Sequence, residues 1–338
     1  MKYTIIIPVY NGSATLHKCL LAITSQKNTI LNEDYTVIVV DDGSTDNTIE
    51  IASKFPVSII RLGCNKGRII ARLAGAKAAQ TEKLLFVDSR VILPRETIKN
   101  LDNYKKYRAV MGSCQGRELK YRSMPDTIFY LIRRRYYGKG VYPQQIDLLE
   151  INRDNFKRSP KGTTVLLIDK SIYLKLIPER IDKTVNDDTL LFQNLIFKNN
   201  ISLFRSKKLP FKYIQRSDMK SFIPWLFERG IRFADYYLRP SGYYFTPFLI
   251  TFFSLASILI YALITVNTLL LFYLLFFLIL LILMTSIYLS ENVKDFFVSI
   301  TMLPFISIIF GAGVIKYISS HIKKYIPNLS SCYKIFTK

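Results

Sequence analysis

Val39-Val40-Asp41-Asp42-Gly43-Ser44-Thr45-Asp46-Asn47-Thr48 is the stretch that decides how this chain folds. It closes an apolar strand over residues 35–40 and turns into a helical run over 48–55. Two carboxylates at the carboxyl end of a buried strand are costly to place there without partners. In open α/β sheets that end is where ligands bind. A second apolar strand, residues 3–7, ends the same way, in Pro8-Val9-Tyr10-Asn11-Gly12.

Outward from these two strands, strand–helix units repeat over the first 90 residues, the pattern of a mostly parallel sheet. Further strands are expected at 57–61 and 83–87, the latter ending in Asp88-Ser89-Arg90. Helices are expected at 14–25, capped by Ser13, and at 67–79. Later elements are a helix over 96–107, a short strand at 109–112, an amphipathic helix at 124–137 and a strand at 163–168. A helix at 190–199 and closing strands at 202–206 and 209–215 follow.

Residues 221–238 combine aromatics with arginines, as in a helix lying on a membrane surface. Segments 245–266 and 269–289 each supply the roughly 20 apolar residues of a membrane span. A third segment, 296–317, holds Pro304, Gly311 and Gly313, which suit a kinked span or a re-entrant or interfacial course. The expected organisation is an α/β domain over 1–220, an interfacial region over 221–243 and a membrane domain over 244–338. The basic tail is expected on the cytosolic side, because a third full crossing would break the positive-inside rule.

Composition agrees. Of 338 residues half are hydrophobic, and 47 Lys and Arg against 25 Asp and Glu leave a net charge of +22. That excess suits nucleic acid, anionic lipid or phosphorylated substrates. Beside apolar spans the lipid surface is the economical reading, at roughly 1 kcal/mol per basic residue. No nucleic-acid recognition motif accompanies the charge, so a nucleic-acid partner is not expected. The four cysteines form no C-x-x-C pair, which argues against zinc or a disulfide framework and for reduced thiols. Met1-Lys2 leads directly into a strand and Pro8, without the apolar core of a signal peptide, so the N-terminus is expected in the cytosol. His17 and His321 have no companion ligands in sequence and read as ordinary surface positions.

The P-x-Y-N segment at Pro8–Asn11 and the D-D-G-S-x-D-x-T segment at Asp41–Thr48 together resemble glycosyltransferase family 2. Asn65-Lys66-Gly67 with Arg72 adds the family's N-x-G-x-x-x-A-R stretch. The resemblance implies a GT-A (Rossmann-like, mostly parallel) α/β fold followed by C-terminal transmembrane helices. It implies inverting sugar transfer from a UDP- or GDP-linked nucleotide sugar to a glycan or lipid-linked acceptor at the cytosolic membrane face. Pro8, Tyr10, Asn11, Asp41 and Asp42 would hold base and ribose. Lys66 and Gly67 would open a helix whose amides face the donor, a favourable place for anions. Arg72 either faces the nucleotide or pairs with a carboxylate. Asp46 and Thr48 read more simply as turn and helix-capping residues.

Asp88 matches the first acid of the family's D-x-D and would contact ribose and a divalent cation, Mg or Mn. Arg90 stands in place of the second acid. Either the metal is held by Asp88 and other groups, or the Arg90 guanidinium offsets diphosphate charge itself. Asp187-Asp188 matches the family's E-D pair, with Asp188 as catalytic base and Asp187 beside it. The Q-x-x-R-W signature of processive members has no counterpart around Trp225, Arg229 and Arg232. Two other readings remain: transfer onto a polyprenyl phosphate, and a non-catalytic binder that kept the nucleotide pocket but lost the metal site.

Overall fold

The computed structural model describes residues 1–114, 123–138, 141, 144–177, 187–214, 219–238, 245–266 and 268–325. The chain forms two compact units, Met1–Lys120 with Arg133–Gln215, and Tyr121–Ile132 with Arg216–Lys338.

The first unit is built on β1 (Tyr3–Val9) and β2 (Tyr35–Asp41), which are buried nearly throughout. Side chains alternate between sheet faces, so each strand feeds two cores. Ile5, Ile7, Val37 and Val39 join one, with Leu16, Leu20 and Ile23 of α1 (Ser13–Thr24). Ile6, Ile38 and Val40 join the other. The helix α2 (Thr48–Ala52) and β3 (Ser58–Arg61) follow. Next comes α3 (Arg68–Ala78), whose Ala71 and Ala76 pack in the second core. Then follow β4 (Lys83–Val87), β5 (Val91–Ile92), α4 (Thr97–Asn100) and β6 (Ala109–Cys114). The helix α5 (Met124–Tyr137), of which residues 124–132 belong to the second unit, is followed by β7 (Leu148–Ile151), β8 (Val165–Asp169), α6 (Lys170–Lys175), α7 (Asp187–Gln193) and β9 (Leu203–Tyr213).

Among the described residues the strands form one sheet in the order β3-β2-β1-β4-β8-β6-β9-β5, with β7 also on β9. The β3-β2-β1-β4 portion is parallel, as expected. Beyond it the sheet is mixed: β8 runs antiparallel to β4 and β6, and β9 parallel to β6. The chain winds outward from β1 to β3, then returns to place β4 on the other side of β1. Strand order therefore reverses at β1/β4, the type of position where such sheets form a ligand crevice. The exits of β1 and β4 flank it.

Several expectations are corrected. The helix foreseen over 96–107 is α4 followed by a 3-10 turn at Leu101–Tyr104. The two closing strands are one strand, β9, whose pairing with β6 shifts register between Gly112 and Ser113. The helix foreseen at 190–199 is α7 passing into a π-helix at Asn194–Lys198, which explains its inexact apolar spacing. The two-residue β5 and the four-residue β7 are too short to show a period. Ser13 does not cap α1: the cap residue is Gly12, with no side-chain bond of its own.

The second unit contains α8 (Met219–Tyr237), α9 (Phe245–Ile264), α10 (Thr268–Leu289) and α11 (Val293–Tyr325). Within it α8 packs along α11 through Ala234, Leu238, Val314 and Tyr317. Gly230 and Gly313 meet where a Cβ on either would run into a carbonyl oxygen, of Phe310 or of Phe227. Tyr317 donates a buried hydrogen bond to Asp235 Oδ1 at 2.9 Å. Part of the apolar face of α8 is thus covered by α11, while Ile223, Phe233 and Tyr237 of the same helix remain exposed. The third apolar segment is one continuous helix through Pro304, Gly311 and Gly313, without the break a re-entrant course needs. Among the described residues two helices, Thr268–Leu289 and Val293–Ser320, are long and apolar enough to cross a membrane.

Candidate active site

The loop after β2 is bound to its neighbours by its own polar side chains. Ser44 Oγ accepts from the Asn11 amide at 2.9 Å, and Asn11 Oδ1 accepts from the Thr45 amide at 2.9 Å. Thr48 Oγ1 accepts from the Gly12 amide at 2.8 Å, and Asp46 Oδ2 from the Ser13 amide at 3.1 Å. Asp46 Oδ1 accepts both the amide and the hydroxyl of Thr48. Asp46 therefore does for α1 what Ser13 was expected to do, from a different loop. Burial works against its charge, but the bonds from Thr48 and Ser13 prevail and hold the carboxyl below the usual carboxylate range. The capping reading of Asp46 and Thr48 is the observed one.

Asp41 and Asp42 are both buried. Asp41 Oδ1 accepts from the Ser44 amide at 3.1 Å, across a turn in which Gly43 has φ +76°. A Cβ on Gly43 would lie 2.5 Å from the Cys64 backbone, so only glycine fits. Asp42 reaches the loop before α3, where its two oxygens accept from the Lys66 and Gly67 amides at 2.8 and 2.9 Å. A carboxylate of the protein itself thus takes the two amides that precede α3, which starts at Arg68. Pro8 is part-buried, while Tyr10, Asn11 and the Lys66 side chain are exposed beside these loops.

The second cluster lies at the exit of β4. Arg72, on α3 and 3% exposed, places Nη2 3.3 Å from Asp88 Oδ1 and Nη1 3.5 Å from Asp188 Oδ1. Of the two roles open to it, pairing with carboxylates is the one observed. Thr163 Oγ1 donates to Asp188 Oδ1 at 2.5 Å. Thr163 precedes β8, whose neighbour Thr164 accepts from the Asp88 amide at 2.9 Å, so sheet pairing places Thr163 beside Asp88. A small recess among Ile69, Arg72, Thr163, Tyr173, Ile177, Asp188 and Leu191 opens here. Lys161, just upstream, donates to the Phe156 and Ser159 carbonyls and lies over the Phe156 ring, and burial pushes its ammonium down to about 8. The side chain of Asp187 lies outside the described residues.

Arg90 is part-buried. Its Nε donates to the Ile214 carbonyl at 2.7 Å and its guanidinium lies 6.0 Å from the centre of the Tyr213 ring, where β5 pairs with β9. One of its donors thus anchors the end of β9. Among the described residues no three His, Cys, Asp or Glu side chains converge as a metal site. Sequence reasoning did not single out Thr163, the partner of Asp188. Thr163 read as a strand start, and nothing in its local pattern announces a partner 25 positions away.

The family model for Glycosyl transferase family 2 matches residues 4–159. The poly(ribitol-phosphate) beta-glucosyltransferase of Bacillus spizizenii is 33% identical over 138 residues, 38% of this chain and 21% of that one. The poly(ribitol-phosphate) beta-N-acetylglucosaminyltransferase TarP of Staphylococcus aureus is 32% identical over 136 residues, 38% of this chain and 41% of that one. The dolichol-phosphate mannosyltransferase of Pyrococcus furiosus is 34% identical over 105 residues, 30% and 29% of the two chains. These matches span about a fifth to two fifths of the relatives' own lengths. Staphylococcus aureus TarS in complex with UDP aligns over 69% of this chain and 66% of that one, at 19% identity and a TM-score of 0.48. The motifs at Pro8–Asn11, Asp41–Thr48 and Asn65–Arg72 lie inside the matched stretch, and residues 4–159 are those of a glycosyl transferase family 2 domain.

Proposed function

We propose that this protein is a membrane-anchored inverting glycosyltransferase that moves a sugar from a nucleotide-sugar donor to a hydroxyl acceptor at the cytosolic membrane face. The observation that carries the reading is the meeting of Arg72, Asp88, Asp188 and Thr163 beside the β1/β4 crevice, next to the loops joined by the Asp41–Thr48 segment. Tyr10, Asn11 and Asp41 line the base and ribose side. Asp42 supports the loop at Lys66 and Gly67. Asp188 takes the proton of the acceptor hydroxyl as it attacks the anomeric carbon, while the diphosphate leaves from the opposite side. Asp187 stands beside it on the first turn of α7.

A divalent cation fits in a limited way. Magnesium is commonly bound by one or two carboxylates with substrate phosphates and water completing its shell. Asp88, part-exposed at a strand end, can serve as that single carboxylate. The cation would lend charge to the departing diphosphate.

The relatives named for poly(ribitol-phosphate) favour a polyol-phosphate or glycan hydroxyl as acceptor. The dolichol-phosphate relative and the apolar helices favour a polyprenyl phosphate as the second reading. In the membrane, α9 and α10 cross. The continuous helix α11, although long and apolar enough to cross, takes an interfacial course along α8 on the cytosolic side, where Arg229, Arg232 and the tail, which lies outside the described residues, also stay.

The test is transfer by the purified full chain in detergent. Radiolabelled UDP-glucose, UDP-N-acetylglucosamine and GDP-mannose are offered with poly(ribitol phosphate) or with a polyprenyl phosphate. Label in the polymer supports the first reading and label in the butanol-soluble lipid the second. Absence of transfer from every donor, with UDP still bound, would support the non-catalytic binder instead.

A further inference from the structure

Asp188 is gripped at one oxygen by two groups. Thr163, 1% exposed, donates its hydroxyl to Asp188 Oδ1 at 2.5 Å, and Arg72 Nη1 reaches the same atom at 3.5 Å. The two grips come from separate rigid supports. Thr163 sits on the approach to β8, in a segment tied upstream by Lys161 to the Phe156 and Ser159 carbonyls and downstream by Thr164 to the Asp88 amide. Arg72 is buried on α3 and also touches Asp88 across the crevice.

We propose that Thr163 and Arg72 are positioning residues for Asp188, fixing its carboxylate where it can accept the acceptor's proton, with Arg72 tying that carboxylate to Asp88. This rests on the reading of Asp188 as the base. An aspartate in the first turn of a short helix has several staggered rotamers open to it. A base must be held within a fraction of an ångström of its productive position. A hydroxyl and a guanidinium on one oxygen select one rotamer. Arg72 then acts through the two acids rather than on the donor.

The test uses the full-length protein in detergent with UDP-glucose and UDP-N-acetylglucosamine. Thr163→Val keeps volume and removes the donor. It is expected to lower kcat about 10-fold with KM for the nucleotide sugar within about twofold, the signature of a group that matters only in the transition state. Thr163→Ser should restore most of the loss, and Arg72→Lys should fall between. A wild-type kcat in Thr163→Val, or an Arg72→Lys variant that changes KM alone, overturns the proposal.

A second measurement does not depend on turnover. Thr163→Val should lower the melting temperature by about 3 °C in the wild-type background and hardly at all in Asp188→Ala. Equal losses in both backgrounds would mean that the two side chains are not coupled, and the proposal fails. Should Asp188→Asn turn over like wild type while the thermal coupling persists, the base assignment fails and the grip stands as structural only.

Discussion

The loop after β2 and the corner at Asp88 and Asp188 are both rich in acids, yet they spend them differently. In the loop, Asp41, Asp42 and Asp46 accept from backbone amides of Ser44, Lys66, Gly67, Ser13 and Thr48. In the corner, Asp88 and Asp188 meet a buried guanidinium and a hydroxyl. A carboxylate bonded to backbone fixes the course of the chain. A carboxylate bonded to other side chains keeps an interaction that a substrate can compete for. Asp42 and Asp46 of the motif that announces the family thus hold the loops together, and the proposed chemistry rests on residues far apart in sequence. Changes at Gly43, Asp42 and Asp46 should act on stability and changes in the corner on rate.

The largest loop effect is expected for Gly43→Ala, which forces a Cβ against the Cys64 backbone at a positive φ. It should cost about 3 kcal/mol or more, read as a fall in melting temperature. Asp42→Asn comes next, since one oxygen must replace two buried charge-assisted acceptors for Lys66 and Gly67. About 2 kcal/mol is expected from thermal or urea unfolding. Either variant melting like wild type while losing turnover would break the contrast.

Asp46→Ala is the smallest, about 1 kcal/mol for a lost cap, and it carries a pH signature. The folded carboxyl of Asp46 lies below its ordinary value. Its stabilisation is therefore fully present above the unfolded pKa of about 4 and lost as pH falls through the folded value. Wild type and Asp46→Ala should differ in melting temperature near neutrality and converge on acidification. A gap that stays constant down to pH 2 would mean that Asp46 contributes packing rather than charge.

Much of this was legible in sequence because it is local. The β1 and β2 strands, the turn at Gly43 and the helix at 124–137 all follow from contiguous apolar patterning and turn chemistry. What was not legible depends on pairing across the sheet. Thr163 comes beside Asp88 only because β8 lies antiparallel to β4, and Asp46 caps α1 only because the two loops lie side by side. The contact of α8 with α11 was hidden for the same reason: an amphipathic pattern does not say which of its residues another helix receives. The place of Arg90 was legible, but its bond to Ile214 required β9 to return beside β5.

The central claim, that Asp188 is the proton acceptor of the corner, is tested most directly by one comparison. Transfer from a UDP-linked sugar is measured for wild type and Asp188→Asn, alongside UDP affinity. The account expects turnover to fall about 100-fold or more, with UDP affinity within about twofold. Near-wild-type turnover in Asp188→Asn would contradict it.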